Sequence, residues 1–332
     1  MNKLITLLFF VTIALTSCQN DDKPENLPQI QLKTFSFYKD LFHLPIDSIP
    51  NKIPFLIKKY SPFFELFGSN IIHIGFPEEK RFGLLLQQFV SDYHMQTVYK
   101  DIEKTFADTK TIDDELEKAF SYYAYYFPNK SIPKIYYFHG GFNQSIITTD
   151  SLIGIGLDKY LGANYNYYQR LGLPEYQRIK MRKEYIPVDA MRYYLYGIFP
   201  FNVDKDDVLS HLVYEGKIQF LLDKCFPNIH DTIKFGFSQK QLTWCEKSER
   251  SMWQYLIDKK MLFSSDLMDI KRYTNDGPFT TTFPRESPAR AAIWIGYNIV
   301  SLYMKKNPTL TFEHLMDEAD AQKISQQSEY NP

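Results

Sequence analysis

Four side chains carry chemistry into otherwise apolar surroundings: Asp189 in Val188-Asp189-Ala190-Met191-Arg192, His211 and Glu215 in Ser210-His211-Leu212-Val213-Tyr214-Glu215-Gly216-Lys217, and Glu249 on the stripe Leu242, Cys245, Trp253, Leu256. His211 and Glu215 are four apart and share one face of a helix. That spacing suits two metal ligands, or a carboxylate orienting an imidazole for proton transfer; it equally suits a plain His–Glu hydrogen bond on a half-buried helix. A carboxylate on an apolar stripe needs a partner, so Glu249 either lines a polar pocket with Glu215 or pairs with Arg250, Lys247 or nearby backbone. Asp189 either caps its helix or pairs with Arg192. Gly216, inside the same helix as Glu215, costs about 1 kcal/mol relative to Ala, which points to something packed closely against it.

Several chemistries drop out. None of the seven histidines, at 43, 73, 94, 139, 211, 230 and 314, belongs to an H-E-x-x-H pair, and Cys225 and Cys245 are too few for a Cys-rich zinc site. No G-x-S-x-G elbow occurs, and Gly154-Ile155-Gly156 lacks the third glycine of a phosphate cradle. No metal and no cofactor is therefore expected. With 38 Lys+Arg against 39 Asp+Glu, the near-neutral balance offers nothing to nucleic acid. Aromatic residues make up 17% of the chain, enough for a Tyr-rich core or an adhesive surface.

The elements that must position these groups follow from periodicity. Helical spacing is expected over Leu84 to Val90, over Tyr93 to Phe106, and from Ile112 until Pro128, with Leu116, Phe120, Tyr123 and Phe127 on one side. Short β-favouring runs follow at Ile135 to Phe138, Ile146 to Thr149 and Leu152 to Leu157, with a fourth strand proposed near Ile71 to Ile74. Helices return at Ile186 to Gly197, Asp207 to Cys225 and Gln239 to Lys260. A last one is expected to start at Ser287-Pro288 and to end at Lys305-Lys306-Asn307-Pro308. The fold class is α+β, predominantly helical, with a small mixed sheet of three to four strands packed by helices.

The N-terminus reads as an address. Lys3, the apolar run Leu4 to Leu15 and the small residues before Cys18 form a lipoprotein signal over residues 1–17, too short to span a bilayer. Cys18 is the expected lipidation site, since its thiol accepts a diacylglyceryl unit and several fatty chains make anchoring stable. Residues 18–30 are polar and Pro-containing, a tether from membrane to a single globular domain at 31–332. In an oxidising periplasm Cys225 and Cys245 either pair or are held apart by helix geometry.

The ordered motifs Gly156-Leu157-Asp158-Lys159-Tyr160-Leu161-Gly162, Val213-Tyr214-Glu215-Gly216-Lys217, Ser287-Pro288-Ala289-Arg290, Trp294-Ile295-Gly296-Tyr297, Tyr303-Met304 and Ser328-Glu329-Tyr330, behind a lipoprotein signal, resemble the gliding motility lipoprotein GldB family of the Bacteroidota. The likeness covers essentially the whole chain. It implies a cell-envelope lipoprotein required for gliding, held to a membrane through Cys18, with other gliding or type IX secretion proteins as partners. The strands followed by two helices also resemble a zincin-type peptidase that has lost its metal. On that comparison Val188 to Arg192 stands where the histidine ligands belong and Glu215-Gly216 matches the later Glu-Gly pair. A non-catalytic component is the expectation, and a residual envelope hydrolase using Asp189, His211, Glu215 and Glu249 the alternative.

Overall fold

The computed structural model describes residue 24 and residues 26–332; the signal segment 1–17 and Cys18 lie outside the described residues. A short β1 (Thr34–Phe35) leads into six helices: α1 (Phe37–Phe42), α2 (Ile49–Tyr60), α3 (Phe63–Leu66), α4 (Phe82–Ser91), α5 (Tyr93–Thr105) and α6 (Lys110–Tyr126). Three more strands follow: β2 (Lys134–Phe138), β3 (Ile146–Thr148) and β4 (Leu152–Gly156). Then come the short α7 (Asn166–Arg170) and α8 (Glu175–Arg178), followed by α9 (Ile186–Ile198), α10 (Val208–Cys225), α11 (Asp231–Phe235), α12 (Gln239–Asp258), α13 (Leu267–Thr274), α14 (Ala292–Lys306), α15 (Phe312–Asp317) and α16 (Ala321–Ser328). The class is α+β, mostly helical, with one small mixed sheet.

The sheet runs β1-β2-β4-β3; β2 is parallel to both β1 and β4, and β3 is antiparallel to β4. The fourth strand is therefore Thr34–Phe35, not Ile71 to Ile74. That segment instead closes a π-helical turn over Phe67–Ile71, its Ile72 and Ile74 N–H groups bonding the Phe67 and Gly68 carbonyls. β4 is buried along its whole length, and its glycines make room: a Cβ on Gly154 would sit 2.8 Å from the Phe63 ring, and one on Gly156 would sit 2.3 Å from the Gln144 carbonyl. Phe63 stacks on Tyr136 of β2 at 4.6 Å, so the ring-rich composition resolves into a core of interlocked aromatics.

Two clusters of buried side chains flank α10. One surrounds the sheet with α1 to α6 and α9; the other holds α12, α13, α14 and α16. α10 serves both, giving Ile218, Leu221, Leu222 and Cys225 to the first and Leu209, Leu212, Val213 and Phe220 to the second. A helix buried nearly all round has no solvent stripe, so its polar members Glu215, Lys217 and Gln219 each need a partner. Gly216 meets Gly296 of α14 backbone to backbone: a Cβ on Gly216 would lie 2.3 Å from the Gly296 carbonyl, and one on Gly296 would lie 1.8 Å from that of Leu212.

One further expectation changes. α14 begins at Ala292, because Ser287 and Pro288 are used in a buried turn: Thr280 N–H donates to the Pro288 carbonyl at 3.0 Å, and Arg290 takes a left-handed φ of 57° that breaks the helical path. Cys225 and Cys245 are both buried and free. Among the described residues, no helix is long and apolar enough to cross a membrane.

Candidate functional site

α9 has Pro187 at its second position and carries Asp189 in its first turn, where a carboxylate suits the positive end of the helix. Asp189, Arg192, Tyr193 and Tyr196 recur at helical spacing and face a cavity of about 470 Å³ whose opposite wall includes Glu215 of α10. α11, the Lys159-Tyr160 turn, and the segments around Lys180, Asp276 and Arg290 complete the lining. Its size is that of an ordinary small-ligand pocket.

The carboxylates of α9 and α10 are each held by a hydroxyl. Tyr160 donates to Asp189 at 3.0 Å, and Tyr196 donates to Glu215 at 2.8 Å. Burial pushes the Asp189 carboxyl up to about 6, although the Tyr160 hydrogen bond and the charges of Arg192, Lys180 and Arg290 pull the other way. Both phenols are raised above their ordinary value, chiefly by burial and then by the neighbouring carboxylate.

Cations share the lining. Arg192, only 8% exposed, donates from Nη2 to Gln219 Oε1 at 2.9 Å and to the Lys234 carbonyl. Arg290 donates to the Phe235 carbonyl at 3.3 Å. Lys234 and Phe235 end α11, which closes on Gly236 in the left-handed conformation, so the two guanidinium groups are pinned by carbonyls at the negative end of one short helix. Lys180 pairs with Asp276 at 2.6 Å. Lys159 reaches the Phe142 carbonyl, and burial lowers its pKa.

Of the four candidates read from sequence, Asp189 and Glu215 come together here and the other two do not. His211 turns away from Glu215: its Nε2 lies 2.7 Å from Asp206, and its ring stacks on Phe201 at 4.2 Å, so the expected His–Glu hydrogen bond is not made. Glu249 accepts from Trp294 Nε1 and from the Tyr330 hydroxyl, each at 2.8 Å, and so ties α12 to α14 and the C-terminus rather than joining a pocket with Glu215. Sequence reasoning did not single out Lys159, Lys180, Arg192 and Arg290 as site residues, nor Tyr160 and Tyr196. Their only signal was that Lys159-Tyr160, Arg192 and Arg290 sit inside motifs already noted, Arg192 as a local partner for Asp189.

A catalytic zinc of the zincin kind does not fit this donor set. On α9 the two positions four apart that would carry imidazoles hold Val188 and Arg192, and the three carboxylates Asp189, Glu215 and Asp276 share their cavity with five cationic side chains. Among the described residues, no group of three or more His, Cys, Asp or Glu is placed to hold a metal ion.

Comparison with curated proteins and with solved structures returned no match. The family model described as gliding motility protein GldB matches residues 17–332. The chain therefore belongs to the GldB family of gliding motility proteins.

Proposed function

We propose that this protein is a lipid-anchored component of the gliding apparatus in the cell envelope, fixed to a membrane through Cys18, and that it acts by binding rather than by catalysis. The family match over 17–332 carries the reading, and Cys18 at the end of a short apolar leader supports the anchor. The donor set of the α9/α10 cavity supports the non-catalytic part: tyrosine-capped carboxylates share it with guanidinium groups fixed by backbone, an arrangement that recognises charge. The type IX secretion machinery, on which gliding adhesins depend, is the class of partner this reading implies.

One observation favours a second reading. An aspartic acid whose carboxyl is raised to about 6 is poised for general acid–base chemistry, as a residual envelope hydrolase would require. Two measurements separate them. Metabolic labelling with palmitate marks the wild type and not Cys18→Ala. The purified chain carries less than stoichiometric zinc and leaves envelope peptides intact. Stoichiometric metal together with hydrolysis lost in Glu215→Gln would replace the binding reading with the enzymatic one.

A further inference from the structure

Buried charges are ordinarily paired, yet among the described residues the two guanidinium groups of the α9/α10 cavity bond only neutral acceptors: Gln219 and the Lys234 carbonyl for Arg192, and the Phe235 carbonyl for Arg290. The Nε of Arg290 is buried without a partner. Arg290 is moreover held at φ 57°, a conformation costly for a side chain of this size. The Ser287-Pro288 turn and the end of α11 together maintain that placement, and what they place is a planar, fully charged donor fork at a cavity wall.

The geometry points to a binding site for the free α-carboxylate of a short peptide or amino acid, gripped by Arg290 and Arg192 at the end of α11, with the ligand's N–H groups turned toward Asp189 and Glu215. It rests on the reading of this cavity as a binding site. Arginine forks match carboxylates with two parallel hydrogen bonds. A phosphate would satisfy the same fork, but its second negative charge would meet Asp189, Glu215 and Asp276 in the same cavity, whereas a peptide end brings one negative group and several donors. The rings of Tyr160, Tyr185, Tyr193 and Tyr196 offer flat apolar walls to the intervening chain.

The test is calorimetric titration of the full chain in detergent with trialanine, with trialaninamide, which lacks the carboxylate, and with inorganic phosphate. Trialanine is expected to bind, with the amide at least tenfold weaker. Arg290→Asn, which removes the fork while tolerating the left-handed backbone, is expected to weaken trialanine at least tenfold. Equal binding of acid and amide, binding of neither, or phosphate binding more tightly than trialanine would overturn the assignment. The acid–amide comparison needs no variant, so it stands even if Arg290→Asn folds poorly. Mass spectrometry of the recovered peptide separates the two readings: intact trialanine keeps both, while cleaved trialanine that binds through its carboxylate keeps the recognition and ends the non-catalytic role.

Discussion

The crossing of α10 and α14 makes a sharp prediction at Gly216. In an open helix, Gly→Ala stabilises by about 1 kcal/mol through backbone entropy. At this position the added methyl would stand 2.3 Å from the carbonyl carbon and oxygen of Gly296, far inside any contact real Cβ atoms make. The obstacle is backbone, so no rotamer change relieves it and the helices must separate. Overpacking of this kind costs about 1–3 kcal/mol, toward the upper end where backbone must move, which leaves Gly216→Ala destabilised by about 2 kcal/mol net. For a domain of this size that lowers Tm by roughly 3–5 °C. Gly197 in α9 is the control, because its Cβ would meet nothing nearer than Thr148 Oγ1 at 3.4 Å, and Gly197→Ala should raise stability slightly. Differential scanning calorimetry on both variants decides the matter. A Gly216→Ala protein as stable as Gly197→Ala would refute the backbone-to-backbone crossing.

Other consequences are independent of it. Asp189 has its folded carboxyl raised to about 6 from the ordinary 3.8, so it contributes stability that is fully present below the lower value and lost as pH rises through the upper one. Asn keeps an acceptor for Tyr160 and never ionises, so Asp189→Asn should gain on the wild type by on the order of 2 kcal/mol between pH 4 and pH 7; a stability difference flat across that range contradicts the burial assigned to Asp189. Glu249→Ala strips two partly buried donors of their acceptor and should cost about 1–3 kcal/mol in urea denaturation, with a change in tryptophan emission from Trp294. Burial pushes the Cys245 thiol up to about 12 and the Cys225 thiol well above its usual value, so neither should react with a thiol reagent until the chain unfolds. Rapid labelling of the native protein at either residue would show the core there to be open.

Elements with a strong period were legible in the sequence. β2 and β4 read as runs of buried β-branched and aromatic residues, and α9, α10 and α12 matched to within two residues at either end, because burial on both sides of a strand or along a helix stripe is written locally. β1 was not legible: two residues carry no alternation, and Thr34–Phe35 is a strand only because β2 offers it an edge. Ser287-Pro288 was misread as a helix start because the same residue types serve a buried turn, and the pattern does not reveal that Arg290 goes left-handed. At the site, Asp189 stood out because a carboxylate among apolar neighbours needs a partner, and Glu215 because it lies four residues from His211. Their cationic counterparts did not, since lysines and arginines are common on any surface and these four are scattered over more than a hundred residues of chain. Glu249 announced the need for a partner but not the partner, because Trp294 and Tyr330 lie 45 and 81 residues away.

The central claim is that a lipid-anchored chain serves cell gliding, and deletion of its gene in the native host tests it most directly, scored by single-cell movement over glass with complementation by wild type and by Cys18→Ala. The account predicts that gliding stops and that only the form able to carry lipid restores it. Undiminished gliding in the deletion strain, or full rescue by Cys18→Ala, would contradict it.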